Sequence, residues 1–159
     1  MCEHSYRSDD YNIAWLIVAN DEKLSTLFFT EADSTCDSRK SGSNVAIVDD
    51  NDEICSVISK MVQHFGWGAP AILHDGKEIV EAIESRKLSP DVIIMDYCLP
   101  HMNGLEASRI ISRKFPAIKI IVATSDESVR AQVASEGFGF LKKPFGFKTL
   151  MKSVFSRDE

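Results

Sequence analysis

Val92-Ile93-Ile94-Met95-Asp96-Tyr97-Cys98-Leu99-Pro100-His101-Met102-Asn103-Gly104 is the stretch whose reading decides the fold. Val92 to Met95 form a short apolar run of the kind that makes a strand buried on both faces. The run stops on a carboxylate, Asp96, and gives way to turn residues (Pro100, Asn103, Gly104). Helical spacing then begins, with Leu105, Ala107, Ser108, Ile111 and Phe115 on one side until Pro116 stops the helix. Strand, polar tip and returning helix make up most of a β–α–β unit.

The same grammar recurs on both sides of this stretch. Upstream, Val45 to Val48 predicts a strand, and Asp52 to Phe65 a helix with Ile54, Val57, Ile58, Met61, Val62 and Phe65 on its stripe. Ala69 to Leu73 predicts a weaker strand, and Lys77 to Arg86 a helix carrying Ile79, Val80 and Ile83. Downstream, Ile118 to Ala123 is a strand and Asp126 to Glu136 a helix closed by Gly137. Phe138 to Leu141 is the fifth strand and Phe147 to Phe155 the last helix. Five apolar strands alternating with five helices predict an α/β domain with right-handed crossovers and a doubly wound five-stranded parallel sheet.

Composition narrows the function classes. The chain has 159 residues, 44% of them hydrophobic and 26% charged, enough for one ordinary core. A net charge of −6 disfavours direct DNA binding, which needs clustered Lys and Arg. No apolar run approaches the roughly 20 residues of a membrane span, the longest being Ile13 to Ala19. The N-terminus lacks a basic segment before an apolar core, so a cytoplasmic protein without a secretory signal is expected. Cys2, Cys36, Cys55 and Cys98 are scattered, which fits free thiols better than a zinc site or disulfide framework.

In parallel α/β sheets the ligand crevice lies beyond the carboxyl ends of the strands. Asp49 and Asp50 follow the first strand, Asp96 the third, Thr124 the fourth and Lys143 the fifth. Clustered carboxylates repel one another and persist by holding a proton, a Lys or a hard cation. Mg²⁺ suits such oxygen ligands. A carboxylate, a cation, a hydroxyl and an ammonium are together what an aspartyl-phosphate site requires. Each residue alone has a plainer reading. Asp49-Asp50 could cap a helix, Asp96 could open a turn, Lys143 could be a solvated loop residue, and Thr124 could serve only its strand. Their joint placement at strand ends outweighs those readings. His64, His74 and His101 share no metal-ligand spacing, and Trp67 between Gly66 and Gly68 reads as a packed turn aromatic.

Residues 44–159 resemble the receiver domain of two-component response regulators, of the chemotaxis-receiver type. The resemblance rests on Val48-Asp49-Asp50-Asn51, on Met95 to Gly104, on Ile121-Val122-Ala123-Thr124, and on Phe140-Leu141-Lys142-Lys143-Pro144-Phe145. It implies a flavodoxin-like strand order 2-1-3-4-5. Asp96 then matches the phosphoacceptor, and Asp49, Asp50, Asp96 and the backbone carbonyl of Cys98 match the Mg²⁺ ligands. Thr124 matches the hydroxyl that follows the phosphoryl group, Lys143 (not Lys142) the Lys before Pro144, and Phe140 the switch aromatic. Cys98 and Asp126 match positions that tune phosphoryl lifetime.

Three departures bear on switching. Ser125 replaces a common Ala, Phe140 lacks the hydroxyl of the frequent Tyr, and the interval from Thr124 to Lys143 is shorter, so a clipped loop or helix is expected there.

The implied function is a phosphorylation-dependent signalling switch rather than a turnover enzyme. Its phosphoryl donor would be a histidine kinase or phosphotransfer protein, and its output would pass through an effector protein. A phosphorelay intermediate or phosphate sink is the alternative. Many receivers also form homodimers through their fourth and fifth helices. The chain ends soon after the fifth helix, so no helix-turn-helix is expected. A phosphatase of the aspartyl-phosphate kind usually needs a second acid two residues after the nucleophile, where this chain has Cys98. Residues 1–43 read as an extension: an apolar run and helical stripe (Ile13 to Val18, then Leu24, Leu27, Phe28) followed by a Ser-, Asp- and Gly-rich linker.

Overall fold

The computed structural model describes residues 44–155, so the reading of the 1–43 extension lies outside the described residues. Five strands, β1 (Val45–Val48), β2 (Ala71–Leu73), β3 (Val92–Asp96), β4 (Lys119–Thr124) and β5 (Gly139–Lys142), form one parallel sheet in the order β2-β1-β3-β4-β5. Helices α1 (Asp52–His64), α2 (Gly76–Glu84), α3 (Gly104–Lys114) and α4 (Arg130–Ser135) fill the four crossovers, and α5 (Phe147–Phe155) follows β5. The predicted fold class and strand order both hold. No helix among the described residues is long and apolar enough to cross a membrane.

Pleating sorts the strand residues onto two faces. Ala46, Val48, Ile93, Met95, Ile120 and Val122 pack with Ile79, Val80 and Ile83 of α2 and Leu105, Ala107 and Ile111 of α3. Their neighbours Ile47, Ile94 and Ile121 are equally buried and point to the opposite face. Of the stripe read from sequence on α1, Ile58, Met61 and Val62 are buried, and α5 buries Leu150, Met151 and Val154. Helix starts are capped by side chains. The Asn51, Asp75 and Asn103 carboxamide or carboxylate oxygens accept backbone N–H groups in the first turns of α1, α2 and α3. Asn51 therefore performs the capping that could have explained Asp49 and Asp50. Trp67 is buried, edge-on to Phe65 and Phe155, as the turn reading required.

Several boundaries differ from expectation. Strand β2 begins at Ala71 rather than Ala69, just after Pro70, which has no N–H for a ladder. Strand β3 runs through Asp96 and β4 through Thr124, so both candidate side chains are the last residues of their strands. The helix expected over Asp126 to Glu136 is a 3₁₀ turn (Glu127–Val129) followed by the six-residue α4. Asp126 caps that turn through Ser128 N, and the short interval before β5 leaves room for little more. Strand β5 starts at Gly139, because the Phe138 N–H is used to close α4 on the Val133 carbonyl, beside Gly137 at φ +79°.

Candidate functional site

Sheet register assembles the site. Val48 pairs with Met95 and Asp96 with Ala123, so Asp49, one residue beyond β1, comes level with Asp96 on the adjacent strand. Thr124 pairs with Lys142, and the Lys143 N–H continues the ladder by donating to the Thr124 carbonyl at 2.8 Å. Side chains separated by up to 94 positions thus meet at one edge of the sheet.

Lys143 lies at the centre of this arrangement. Its Nζ donates to Asp49 Oδ2 at 2.5 Å and to Asp96 Oδ1 at 2.8 Å. It is only 2% exposed, so it sits inside the acidic cluster and not in a solvated loop. The peptide bond to Pro144 is cis. Asp49 and Asp96 are each 3% exposed, whereas Asp50 is open to solvent and marks the mouth. Ligand oxygens of Asp49, Asp50 and Asp96 all fall within 4.8 Å of one another.

Such crowding has an electrostatic consequence. Burial pushes the Asp96 carboxyl up, Lys143 pulls it back, and Asp49 pushes it up again, leaving it at about 6 instead of 3.8. Burial pulls the Lys143 ammonium down, but Asp96 and Asp49 outweigh that and hold it above the ordinary lysine value. Three carboxylates against one ammonium leave net negative charge in a largely dry cup, and all the cluster's ligand atoms are carboxylate oxygens. That donor set fits Mg²⁺ and excludes the soft metals that prefer sulfur.

The remaining candidates surround this core. Thr124 is buried, and its Oγ1 accepts from the Asp126 N–H at 3.1 Å, which leaves the hydroxyl proton for another acceptor. Cys98 is half-buried in the loop after β3, two residues beyond Asp96. Phe140 is half-buried on β5, with the Arg130 guanidinium carbon 4.5 Å above its ring centroid. Arg130 also pairs with Glu127 at 3.3 Å, and Glu127 pairs with Lys142. Lys142 therefore faces the α4 side, while Lys143 alone enters the cluster.

Three residues beneath or beside the site escaped the sequence reading. A Cβ on Gly104 would run into the Asp96 carbonyl, so a glycine is required for α3 to start directly behind the strand end. Cys55 is buried against Asp49. Burial, then the Asp49 and Asp52 charges, push its thiol to about 11, and the protonated Sγ donates to the Asp49 carbonyl at 3.3 Å. His74 bonds the same carbonyl through Nδ1 at 2.9 Å. His74 directly follows β2, so the strand-end rule that selected Asp49 and Thr124 would also have selected it. His101 is exposed and pairs with Asp75, the cap of α2.

Residues 45–155 match the response regulator receiver domain family. The chain belongs to that family. A putative two-component response regulator of Arabidopsis thaliana is 32% identical over 102 residues, covering 64% of this chain and 16% of the relative. The transcriptional regulatory protein LnrK of Bacillus subtilis is 28% identical over 116 residues, 70% of this chain and 52% of the relative. The chain thus spans about half or less of these curated relatives. Among solved structures, the response regulator TrrA of Thermotoga maritima, in complex with Mg²⁺ and BeF, superposes with a TM-score of 0.64 at 26% identity. The match covers 70% of this chain and 96% of that one. Chemotaxis protein CheY4 of Vibrio cholerae gives 0.60 at 27%, covering 70% and 95%. Receiver domains bind Mg²⁺ at their acidic pocket, and this receiver carries such a cluster.

Proposed function

We propose that this receiver is a phosphorylation-dependent switch that takes a phosphoryl group onto Asp96 from a partner phosphohistidine and signals through an effector protein. The observation that carries the reading is the Lys143 ammonium bridging Asp49 and Asp96 in a buried acidic cup that also includes Asp50. Lys143 holds Asp96 by Oδ1, which leaves Oδ2 to attack phosphorus. The new bond joins that carboxylate oxygen to phosphorus, and the phosphorus–nitrogen bond of the donor histidine breaks, with its electron pair and a proton ending on the imidazole.

Asp49, Asp50, Asp96 and the Cys98 carbonyl would hold Mg²⁺, which when bound offsets the negative charge gathered around the phosphoryl oxygens. Lys143 contributes a second positive charge that no solvent screens, since it is already desolvated. Thr124, its oxygen occupied by the Asp126 N–H, offers its proton to a phosphoryl oxygen. Movement of Thr124 would be felt along Asp126 and Glu127 to Arg130 and Phe140, the switch aromatic.

Intact-mass measurement after incubation with Mg²⁺ and acetyl phosphate tests the reading. One phosphoryl addition is expected, absent with a chelator and absent in Asp96→Ala. An addition that survives Asp96→Ala would overturn the assignment, and hydrolysis of an external phosphoester would make the protein a phosphatase.

A further inference from the structure

The three carboxylates of the cluster are not held alike. Asp49 is fixed by Lys143, and its Oδ1 also accepts the Asn51 N–H at 3.0 Å. Asp96 is fixed by Lys143 and by the strand it ends. Asp50 is exposed, and its side chain has no hydrogen bond or ion pair among the described residues, so its aim depends on the backbone that carries it. The peptide between Asp49 and Asp50 sets that aim. At its amino side the Asp49 N–H donates to the Leu73 carbonyl at 3.1 Å. Its own carbonyl, Asp49 O, accepts from His74 Nδ1 at 2.9 Å and from Cys55 Sγ at 3.3 Å.

A carbonyl oxygen can only accept, so His74 Nδ1 must carry the hydrogen. The ring is anchored on its other sides as well. Its backbone N–H donates to Glu78 Oε2 at 3.1 Å, and Nε2 stands 3.5 Å from Asp52 Oδ1. Asp52, in the first turn of α1, thus faces the ring itself, and Glu78, in α2, holds the His74 backbone. Of the two donors to Asp49 O, the thiol is the weaker kind, so the imidazole carries most of the restraint.

We infer that His74 is a positioning residue for the cation site: its Nδ1–H locks the Asp49–Asp50 peptide plane and thereby holds the otherwise untethered Asp50 carboxylate toward the cation. This rests on the reading of the acidic cup as a Mg²⁺ site. Groups that orient a metal ligand from outside are known to set affinity strongly when lost. Here the lost bond is one neutral hydrogen bond to a backbone carbonyl, which corresponds to a weakening of about three- to tenfold.

Isothermal titration of the purified chain with Mg²⁺ at neutral pH tests it, comparing wild type, His74→Leu and His74→Asn. Leu keeps volume and donates nothing, whereas the Asn amide nitrogen can occupy the place of Nδ1. His74→Leu is expected to weaken Mg²⁺ binding about three- to tenfold, and His74→Asn to recover binding to within about twofold. Urea unfolding in chelator checks that both variants fold; because the ring is half-exposed, Leu and Asn are expected to unfold together, so their difference in Mg²⁺ affinity does not come from the fold. Nitrogen-15 spectra of the imidazole supply a second readout, with Nδ1 protonated. Equal affinity in wild type and His74→Leu, equal loss in Leu and Asn, or an Nδ1 without hydrogen would each overturn the assignment. Absence of Mg²⁺ uptake by the wild type would overturn the cation site itself, and the His74 role with it.

Discussion

Replacing the proposed phosphoacceptor with its neutral isostere, Asp96→Asn, should stabilise the metal-free protein. Most substitutions at a 3% exposed position do the reverse. The magnitude follows from the carboxyl's position at about 6 against 3.8 in an unperturbed chain. Two units at about 1.4 kcal/mol each give roughly 3 kcal/mol for ionising Asp96 in the fold at neutral pH. Relaxation of the cup reduces this, so a gain of about 1 to 3 kcal/mol is expected.

The sign has a definite pH window. A raised folded-state value means the wild type is fully stable below about pH 4 and loses stability as pH rises through about 6. The advantage of Asp96→Asn should therefore be small at pH 4, grow across that interval and level off above it. Other titrating groups are common to both proteins and cancel in the difference. Urea unfolding in chelator reads it as a midpoint shift of about 1 M at neutral pH. Saturating Mg²⁺ should narrow or reverse the gap, since the wild type gains about 2.7 kcal/mol at a hundredfold excess over its Kd. A variant less stable than wild type at neutral pH in chelator, or a gain of the same size at pH 4, would refute the electrostatic account.

Removing the cation has the opposite effect: Lys143→Met leaves Asp49 and Asp96 buried without their shared partner and should cost about 3 to 5 kcal/mol in chelator, measured by urea unfolding. A cost below about 1 kcal/mol would mean the ammonium is not the cluster's main counterion. Mg²⁺ affinity should fall by about tenfold per unit as pH drops below about 6, because a proton competes for Asp96. Calorimetric titration at several pH values checks this, and a flat profile would contradict it. Gly104→Ala drives a methyl group against the Asp96 carbonyl and should destabilise the fold by about 1 to 3 kcal/mol or more, with slower phosphoryl uptake from acetyl phosphate. Wild-type stability and rate would show that α3 can draw back freely.

The parts of this structure that were legible in the sequence are those governed by repeating physical constraints. Val45–Val48, Val92–Asp96 and Lys119–Thr124 are almost uninterrupted apolar runs because parallel strands bury both faces, and the stripes of α1, α2 and α3 follow the helical period. The convergence of the candidate site residues was legible because a parallel sheet presents all its strand ends on one edge. What escaped was set by pairwise contacts with no period. The Asp126–Glu136 segment broke into a 3₁₀ turn and a short helix around a capping Asp126 and a Glu127 drawn to Lys142 and Arg130. Gly104 resembled an ordinary turn glycine, although the constraint on it comes from a carbonyl eight residues earlier. His74 carries no spacing that marks it in the sequence, because its contact is with a backbone oxygen 25 positions away.

The most direct test of the central claim is the position of the covalent phosphoryl group. After incubation with Mg²⁺ and a small phosphodonor, borohydride reduction converts an aspartyl phosphate to homoserine, which peptide mass spectrometry locates. Homoserine at position 96, dependent on Mg²⁺, is the predicted result. Reduction at Asp49 or Asp50, or none anywhere while the protein binds Mg²⁺, would contradict it.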